Sequence, residues 1–380
     1  MRTVGIVAEY NPFHRGHALH LAKARSLSRA DRVIAVMSGC FVQRGEPAVL
    51  PPRVRAEAAL RNGVDLVVLL PCCWSLREAE HFALGAVSLL RDLGADCLSF
   101  GAETADLSLL EKAAAEMAQA VSRESLQAGQ PWPQAMSAAL SPDATQVLSS
   151  PNNLLGCCYL RAVRRLNAGL AAYPIARTGG YHAPEADPEQ PSASAVRRLL
   201  LSGSWPEALA CLPENTRAAV REAVLNHAPV APDAFSQALL YRLRTMSGEE
   251  YAALPELSEG IENLLRKAAA AAAEQRDLLE AMKTRRYSRG RLARLCMHAL
   301  LGIDAACLRQ TPLPDQALVL GFRKEADGLL SRARIPLVLR RRDFDTASLW
   351  TQAEERAWDL YALVSGEAAG MLRRDGAVIV

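Results

Sequence analysis

No run in this 380-residue chain stays apolar for long enough to span a bilayer. The first residues also lack the basic-then-apolar pattern of a secretory signal, so the cytoplasm is the expected location. No C-x-x-C pair is matched by a second ligand pair. The nine cysteines are an odd number, and Cys72-Cys73 and Cys157-Cys158 are adjacent in sequence. This argues against zinc and against a disulfide framework; it predicts reduced, mostly buried thiols and no protein-held metal. A surplus of one charge is missing too, since 44 Lys and Arg stand against 41 Asp and Glu. A net charge of +3 identifies no polyanionic partner by itself, so the distribution matters more than the sum. No repeat at solenoid spacing and no low-complexity linker is visible. What is present, half of it apolar, suffices for two or three domains with ample core.

The most informative segment is Ala8-Glu9-Tyr10-Asn11-Pro12-Phe13-His14-Arg15-Gly16-His17, directly after the apolar Val4-Gly5-Ile6-Val7. Pro12 ends a strand, and His17, Leu19, Leu21 and Ala24 begin a helical spacing, so both histidines fall at a loop-to-helix junction. Free backbone N–H groups and the positive dipole end of that helix favour phosphate there. His14 and His17 are placed to donate hydrogen bonds to the phosphates of ATP and to the charge that grows as the α–β bond breaks. Gly16 removes a side chain that would hold the nucleotide off the backbone. This His-x-Gly-His element resembles the signature of the HIGH-type nucleotidylyltransferase and class I aminoacyl-tRNA synthetase superfamily. Its members attack the α-phosphate of a nucleotide and expel pyrophosphate.

Up to about residue 200 the chain alternates strand candidates with helices. The strands are Val4–Ala8, Arg32–Met37, Asp65–Leu70, Asp96–Phe100 and Ala171–Ile175; the helices lie near 17–29, 53–62, 77–92, 106–121 and 153–167. That order predicts an α/β fold, a Rossmann-like parallel-sheet nucleotidylyltransferase domain over 1–202, with ligands beyond the carboxyl ends of the strands. A mostly helical domain follows over 203–312, punctuated by Pro213, Pro229, Pro232 and Pro255, with the alanine run Ala268–Glu274 inside a helix. A small C-terminal α/β segment over 313–380 carries two more strand-like runs, Ala317–Phe322 and Ile335–Arg340, and packs back on the rest.

Several loops can contribute to a site. In the Ser38–Pro47 loop Arg44 can reach phosphate or carboxylate, or Gly39 and Gly45 merely supply turn geometry. Gly101, at a strand end, allows close approach of adenine or ribose, or is ordinary turn chemistry. Asn152 is a helix N-cap, or its amide reads a nucleotide edge. Arg177 stands beside Gly179 and Gly180 in Arg177-Thr178-Gly179-Gly180-Tyr181-His182. Ser192-Ala193-Ser194-Ala195-Val196-Arg197 resembles the Ser-Ser-Thr-x-x-Arg-like turn that closes over the β and γ phosphates in nucleotidylyltransferases, which makes Ser192, Ser194 and Arg197 a second anion site. Finally, Lys283-Thr284-Arg285-Arg286-Tyr287-Ser288-Arg289-Gly290-Arg291-Leu292-Ala293-Arg294 has six basic residues and no acid. Such a patch with an interleaved aromatic suits RNA phosphate contact and base stacking, or is a solvated helix face.

Together these residues resemble the bacterial tRNA(Met) cytidine acetate ligase family. The resemblance is carried by Gly-Ile-Val-Ala-Glu-Tyr-Asn-Pro-Phe-His-x-Gly-His, Met-Ser-Gly-x-Phe-Val-Gln-Arg-Gly-Glu-Pro, Ser-Phe-Gly-Ala-Glu, Pro-Asn-Asn-x-Leu-Gly, Pro-Glu-Leu-Ser-Glu-Gly-Ile-Glu-Asn and Lys-Thr-Arg-Arg-Tyr-Ser. It implies activation of acetate by ATP to acetyl-adenylate, followed by acetylation of N4 of the wobble cytidine of elongator tRNA(Met). It further implies ATP on Val7, Ala8, Glu9, Tyr10, Asn11, Pro12, Phe13, His14, Gly16, His17 and His20, with Gly101, Asn152 and Arg177 adding contacts. Lys283, Arg285, Arg286, Tyr287, Arg289, Arg291 and Arg294 would then meet the tRNA. Arg15 and Cys40 stand where relatives more often have asparagine.

Acetate is already a nucleophile, so such an enzyme needs no nucleophile of its own. It must align acetate with the α-phosphate, stabilise the pentavalent charge with His14 and His17, and use magnesium on the departing pyrophosphate. Two other functions fit parts of the chain: a metabolite nucleotidylyltransferase, or a non-catalytic RNA-binding protein with a relic nucleotide site. No motif marks the acetate contact or an oligomeric state.

Overall fold

A computed structural model describes residues 1–124, 140–177, 187–188, 191–227, 229–257, 260–284, 287–345, 347–374 and 376–380. Ten strands occur among them: β1 (Thr3–Ala8), β2 (Arg32–Ser38), β3 (Phe41–Val42), β4 (Glu46–Pro47), β5 (Leu66–Leu70), β6 (Cys97–Ala102), β7 (Ala171–Ala176), β8 (Ala317–Phe322), β9 (Leu337–Val338) and β10 (Val378–Ile379). The five strands expected in the first 200 residues all form, each within two residues of its expected ends.

The central sheet runs β10-β8-β5-β2-β1-β6-β7, with β9 on β8. From β5 to β7 every pairing is parallel. In chain order those five strands stand 3-2-1-4-5, so the direction of winding reverses beside β1. A crevice opens at such a point, beyond the carboxyl ends of β1 and β6. Both faces of the sheet are covered, because alternate side chains feed two cores: Val33, Ala35 and Met37 enter one, Ile34 and Val36 the other. The first core continues into the helices Ser236–Thr245, Arg289–Leu301 and Leu349–Ser365. The C-terminal segment packs back by extending the sheet, since β8 pairs antiparallel with β5 and β10 pairs with β8.

One expectation fails in the helical region. The alanine run does not lie inside a helix: Ile261–Ala271 ends within it, Ala272 is extended, and a new helix starts at Gln275. Arg244 causes the stop by donating to the carbonyls of Ala269 at 2.9 Å and Ala272 at 2.7 Å. Glu274 and Asp277 then cap the next helix reciprocally. Local alanine propensity loses to a tertiary cap.

The nine cysteines are all free and buried, as expected. Among the described residues no helix is long and apolar enough to cross a membrane.

The amino ends of the sheet are fastened by Asp65, whose buried carboxylate pairs with Arg25 at 2.9 Å and Arg32 at 3.1 Å and accepts from the Val33 N–H. Asp65→Ala strands two part-buried guanidinium groups. It is expected to cost about 3 kcal/mol of unfolding free energy in urea titration, with the slope of the transition unchanged.

Candidate active site

The loop after β1 is built from the inside. Tyr10 takes a left-handed backbone, φ 44°, and its ring meets Phe13 and His17 edge-on at 4.8 and 5.1 Å between centroids. Asn11 accepts from the Val49 N–H at 2.8 Å. The side chains of Tyr10, Asn11, Pro12 and Phe13 are buried, so of the expected nucleotide contacts these four shape the loop from within. Val7, Ala8 and Glu9 are half-buried on the way in, and Glu9 accepts from the Gln43 N–H at 3.1 Å.

His14 caps the helix Arg15–Ser28. Its Nδ1 accepts from the Gly16 N–H at 3.0 Å, while its own N–H donates to His17 Nδ1 at 3.2 Å. Two histidines thus form a capping box, with ring centroids 3.9 Å apart. Each Nδ1 is spent as an acceptor, so each neutral ring carries its proton on Nε2. The rings are held neutral. Burial, then Arg177 and Arg197, depress His14 to about 3. His17 is driven well below the usual range by burial, then by His14, His20 and Arg177, with only the Pro12 carbonyl opposing. His20, 3.5 Å from Ser99 Oγ on β6, falls to about 4 through burial and the charges of Arg177 and Lys23. The pair can donate to an oxyanion without carrying charge.

The free helix-start N–H groups expected here are not free. Arg15 N–H donates to the Cys211 carbonyl, Gly16 N–H to the His14 ring, and those of His17 and Ala18 to the His14 carbonyl. Gly16 also has a reason other than nucleotide clearance: a Cβ there would lie 2.8 Å from the His14 ring. The helix Pro151–Arg165 is pre-capped likewise, because Glu103 accepts from the Asn152 and Asn153 N–H groups at 3.4 and 2.9 Å. Asn152 is therefore not the N-cap, a position Ser150 holds; its amide donates to Glu103 at 2.6 Å and accepts from Arg177 at 3.2 Å. Gly101 lies beside them, with room for the Arg177 stem 3.4 Å from where a Cβ would stand. Gly101, Asn152 and Arg177 thus come together at the carboxyl edge of β6 and β7.

The second anion segment reaches the same place. Ser192 caps the helix Ala193–Leu201 by accepting from the Ala195 N–H at 3.1 Å. Arg197 donates to the Asn11 carbonyl at 2.9 Å and to Ser194 Oγ at 3.3 Å. Burial lowers its pKa against the pull of Glu9 and Glu46, and Arg44 adds to the lowering. The loop residues of Thr178–His182 lie outside the described residues.

The basic run departs from expectation. Arg285 and Arg286 lie outside the described residues, and the four described cations all have carboxylate partners from elsewhere in the chain. Lys283 and Arg289 pair with Glu280 at 3.7 and 3.0 Å, and Arg291 and Arg294 with Glu256, each at 3.5 Å. Tyr287 is buried beneath the Arg291 guanidinium, 4.7 Å from its ring centroid, which removes it from base stacking. Nor is the run remote from the nucleotide loops: Arg294 reaches the Gln43 carbonyl at 3.5 Å, and a Cβ on Gly45 would meet the Arg294 nitrogen at 2.3 Å. The sequence assigns no role to Glu103, although it closes the Ser-Phe-Gly-Ala-Glu motif, and none to the buried Arg55, which lies in no motif.

The HIGH Nucleotidyl Transferase family model matches residues 1–373. The tRNA(Met) cytidine acetate ligase of Listeria welshimeri is 37% identical across 96% of this chain and 95% of its own, and that of Kosmotoga olearia 33% across 97% and 89%. The chain belongs to the tRNA(Met) cytidine acetate ligase family. Its fold superposes on apo Thermotoga maritima TmcAL with a TM-score of 0.89 at 28% identity over the whole of both chains. Thermotoga maritima TmcAL bound with alpha-thio ATP gives 0.86 at 29%, covering 99% of this chain and 97% of that one.

The depressed histidines set a pH dependence. Their folded pKa lies below the unfolded value near 6.5, so between the two the unfolded chain binds more protons. Stability is full above about pH 6.5 and falls as pH drops toward 3, by up to about 1.4 kcal/mol per pH unit for each such ring. Scanning calorimetry from pH 7.5 to 5 should show this decline, and a shallower one for His298→Leu, which removes a further, fully buried ring held at about 3 by burial and the charges of Arg294 and Arg77.

Proposed function

We propose that this chain is an ATP-dependent ligase acting on tRNA(Met), which makes acetyl-adenylate and passes the acetyl group to N4 of the wobble cytidine. The reading rests above all on the two neutral, Nε2-protonated histidines facing a crevice between Arg177 and Arg197. With the helix starts already satisfied, side chains supply the anion recognition: His14 and His17 toward the α-phosphate, Arg197 with Ser192 and Ser194 toward the triphosphate end, Arg177 with Gly101 and Asn152 toward the nucleoside side. An acetate oxygen attacks the α-phosphorus, and the bond to pyrophosphate breaks. The cytosine amine then attacks the acetyl carbonyl, loses a proton, and AMP departs. Neutral donors suit the first step, because they stabilise growing charge without surrendering a proton to acetate.

Among the described residues no group of three or more His, Cys, Asp or Glu side chains converges as a metal site. Magnesium would enter with the nucleotide, on its phosphates, and offset charge on the departing pyrophosphate. The ATP-binding part is 1–202, and 203–312 carries the tRNA contacts, with Lys283, Arg289 and the neighbouring Arg285 and Arg286 at their centre. A tRNA substrate implies the cytoplasm.

The test is pyrophosphate release from ATP with acetate, followed by acetylation of tRNA(Met). Loss of one preorganised donor costs about 2.7–4 kcal/mol of transition-state stabilisation. His14→Ala and His17→Ala should accordingly slow pyrophosphate release by two to three orders of magnitude while circular dichroism is unchanged. Near-normal release from either folded variant would sink the assignment of these rings.

A second expectation concerns the RNA. Neutralising Arg285, Arg286 and Arg289 should weaken tRNA binding and reduce its salt slope by up to about 1 per arginine, with acetyl-adenylate formation intact. Equal loss of both half-reactions would mark the run as structural.

A further inference from the structure

Arg55, on the helix Pro52–Arg61, is 1% exposed, and its guanidinium makes every one of its hydrogen bonds to a carbonyl. Nε donates to Leu50 at 3.0 Å, Nη1 to Glu9 at 2.6 Å and Ser38 at 3.0 Å, and Nη2 to Gly39. Glu9 follows β1 and carries the signature loop; Ser38 ends β2, and Gly39 follows it. One side chain therefore spans the carboxyl ends of β1, which borders the crevice, and of its neighbour β2. Among the described residues no carboxylate stands at ion-pair distance from it; the Glu9 carboxylate and Tyr361 act on it from farther off, so the positive charge, lodged among carbonyl dipoles, is only partly offset. A buried cation with no counterion in contact is costly, and a polyanion bound nearby relieves part of that cost. Being buried, the charge is little screened by salt.

We propose that Arg55 is a positioning residue for the nucleotide phosphates. Its guanidinium sets the spacing between the signature loop and the loop after β2, and its only partly offset charge favours a triphosphate over the nucleoside. The inference rests on the ligase reading for the identity of the ligand. It is separable from it, because ligand binding can be compared without turnover.

The experiment measures the affinity of the full chain for ATP, pyrophosphate and adenosine by calorimetric titration, in wild type, Arg55→Lys and Arg55→Met, with circular dichroism as the fold control. Arg55→Met should weaken ATP and pyrophosphate by about tenfold or more and adenosine by less than about threefold. Arg55→Lys keeps the charge but cannot span four carbonyls; it should recover most of the ATP affinity while ATP–pyrophosphate exchange stays slow, a loss in kcat rather than KM. Equal weakening of ATP and adenosine in Arg55→Met would overturn the proposal in favour of a scaffold role, as would unchanged ATP affinity. Should Arg55→Met not fold, Arg55→Lys decides alone: a preserved ATP-to-adenosine preference with lowered kcat supports the proposal, and a lost preference overturns it. Failure of wild type to exchange pyrophosphate with acetate present would count against the ligase reading and leave the ligand comparison standing.

Discussion

A guanidinium buried among carbonyls dictates the shape of the chain around it. Arg55 cannot shed its charge, so the backbone at Glu9, Ser38, Gly39 and Leu50 has to turn its oxygens inward. Those four points fix where two loops leave the sheet. From the first hangs the signature segment, closed by Asn11 on Val49; from the second hangs the β3–β4 hairpin, closed by Gln43 on Glu9. The histidine pair stands at the end of this construction, with its orientation inherited from it.

The site departs from the usual economy of Rossmann-like phosphate binding, in which helix-start N–H groups meet the anion directly. Here the His14 ring, Glu103 and Ser192 have already taken donors at three helix starts. Caps make the helices stable before any ligand arrives, and on the proposed reading side chains take over the anion. Such side chains must be neutral or well aimed, since clustered cations repel; His14, His17 and His20 resolve this by remaining unprotonated beside Arg177. The helix dipole still favours negative charge over the first turn.

Much of this was legible in sequence for a physical reason. Strands buried on both faces read as short apolar runs, so β1, β2, β5, β6 and β7 stood out, and so did the loops after them. The signature histidines were visible because their spacing places both on one helix start. What stayed hidden was everything decided by partners distant in sequence. Arg55 looks like any helix arginine until its four carbonyls gather. The basic run looked uncompensated because Glu256 and Glu280 lie outside it, and the alanine run looked continuous because Arg244, which ends its helix, lies 25 residues before Ala269. Asn152 read as a cap because Glu103 arrives from the neighbouring strand end.

The two halves of the proposed reaction meet at one hairpin. Gly45, with φ at +75°, packs where a Cβ would overlap the backbone of Ala293 and Arg294, so the hairpin and the helix Arg289–Leu301 have no slack between them. On its other side the same hairpin donates to Glu9, two residues before Asn11, whose carbonyl receives Arg197. Close-packed elements of this kind transmit displacement instead of absorbing it. The helix that carries Arg289, Arg291 and Arg294 is thus mechanically continuous with the loop that carries His14. Under the proposed function, that continuity ties the segment expected to meet RNA to the loop that carries the signature histidines.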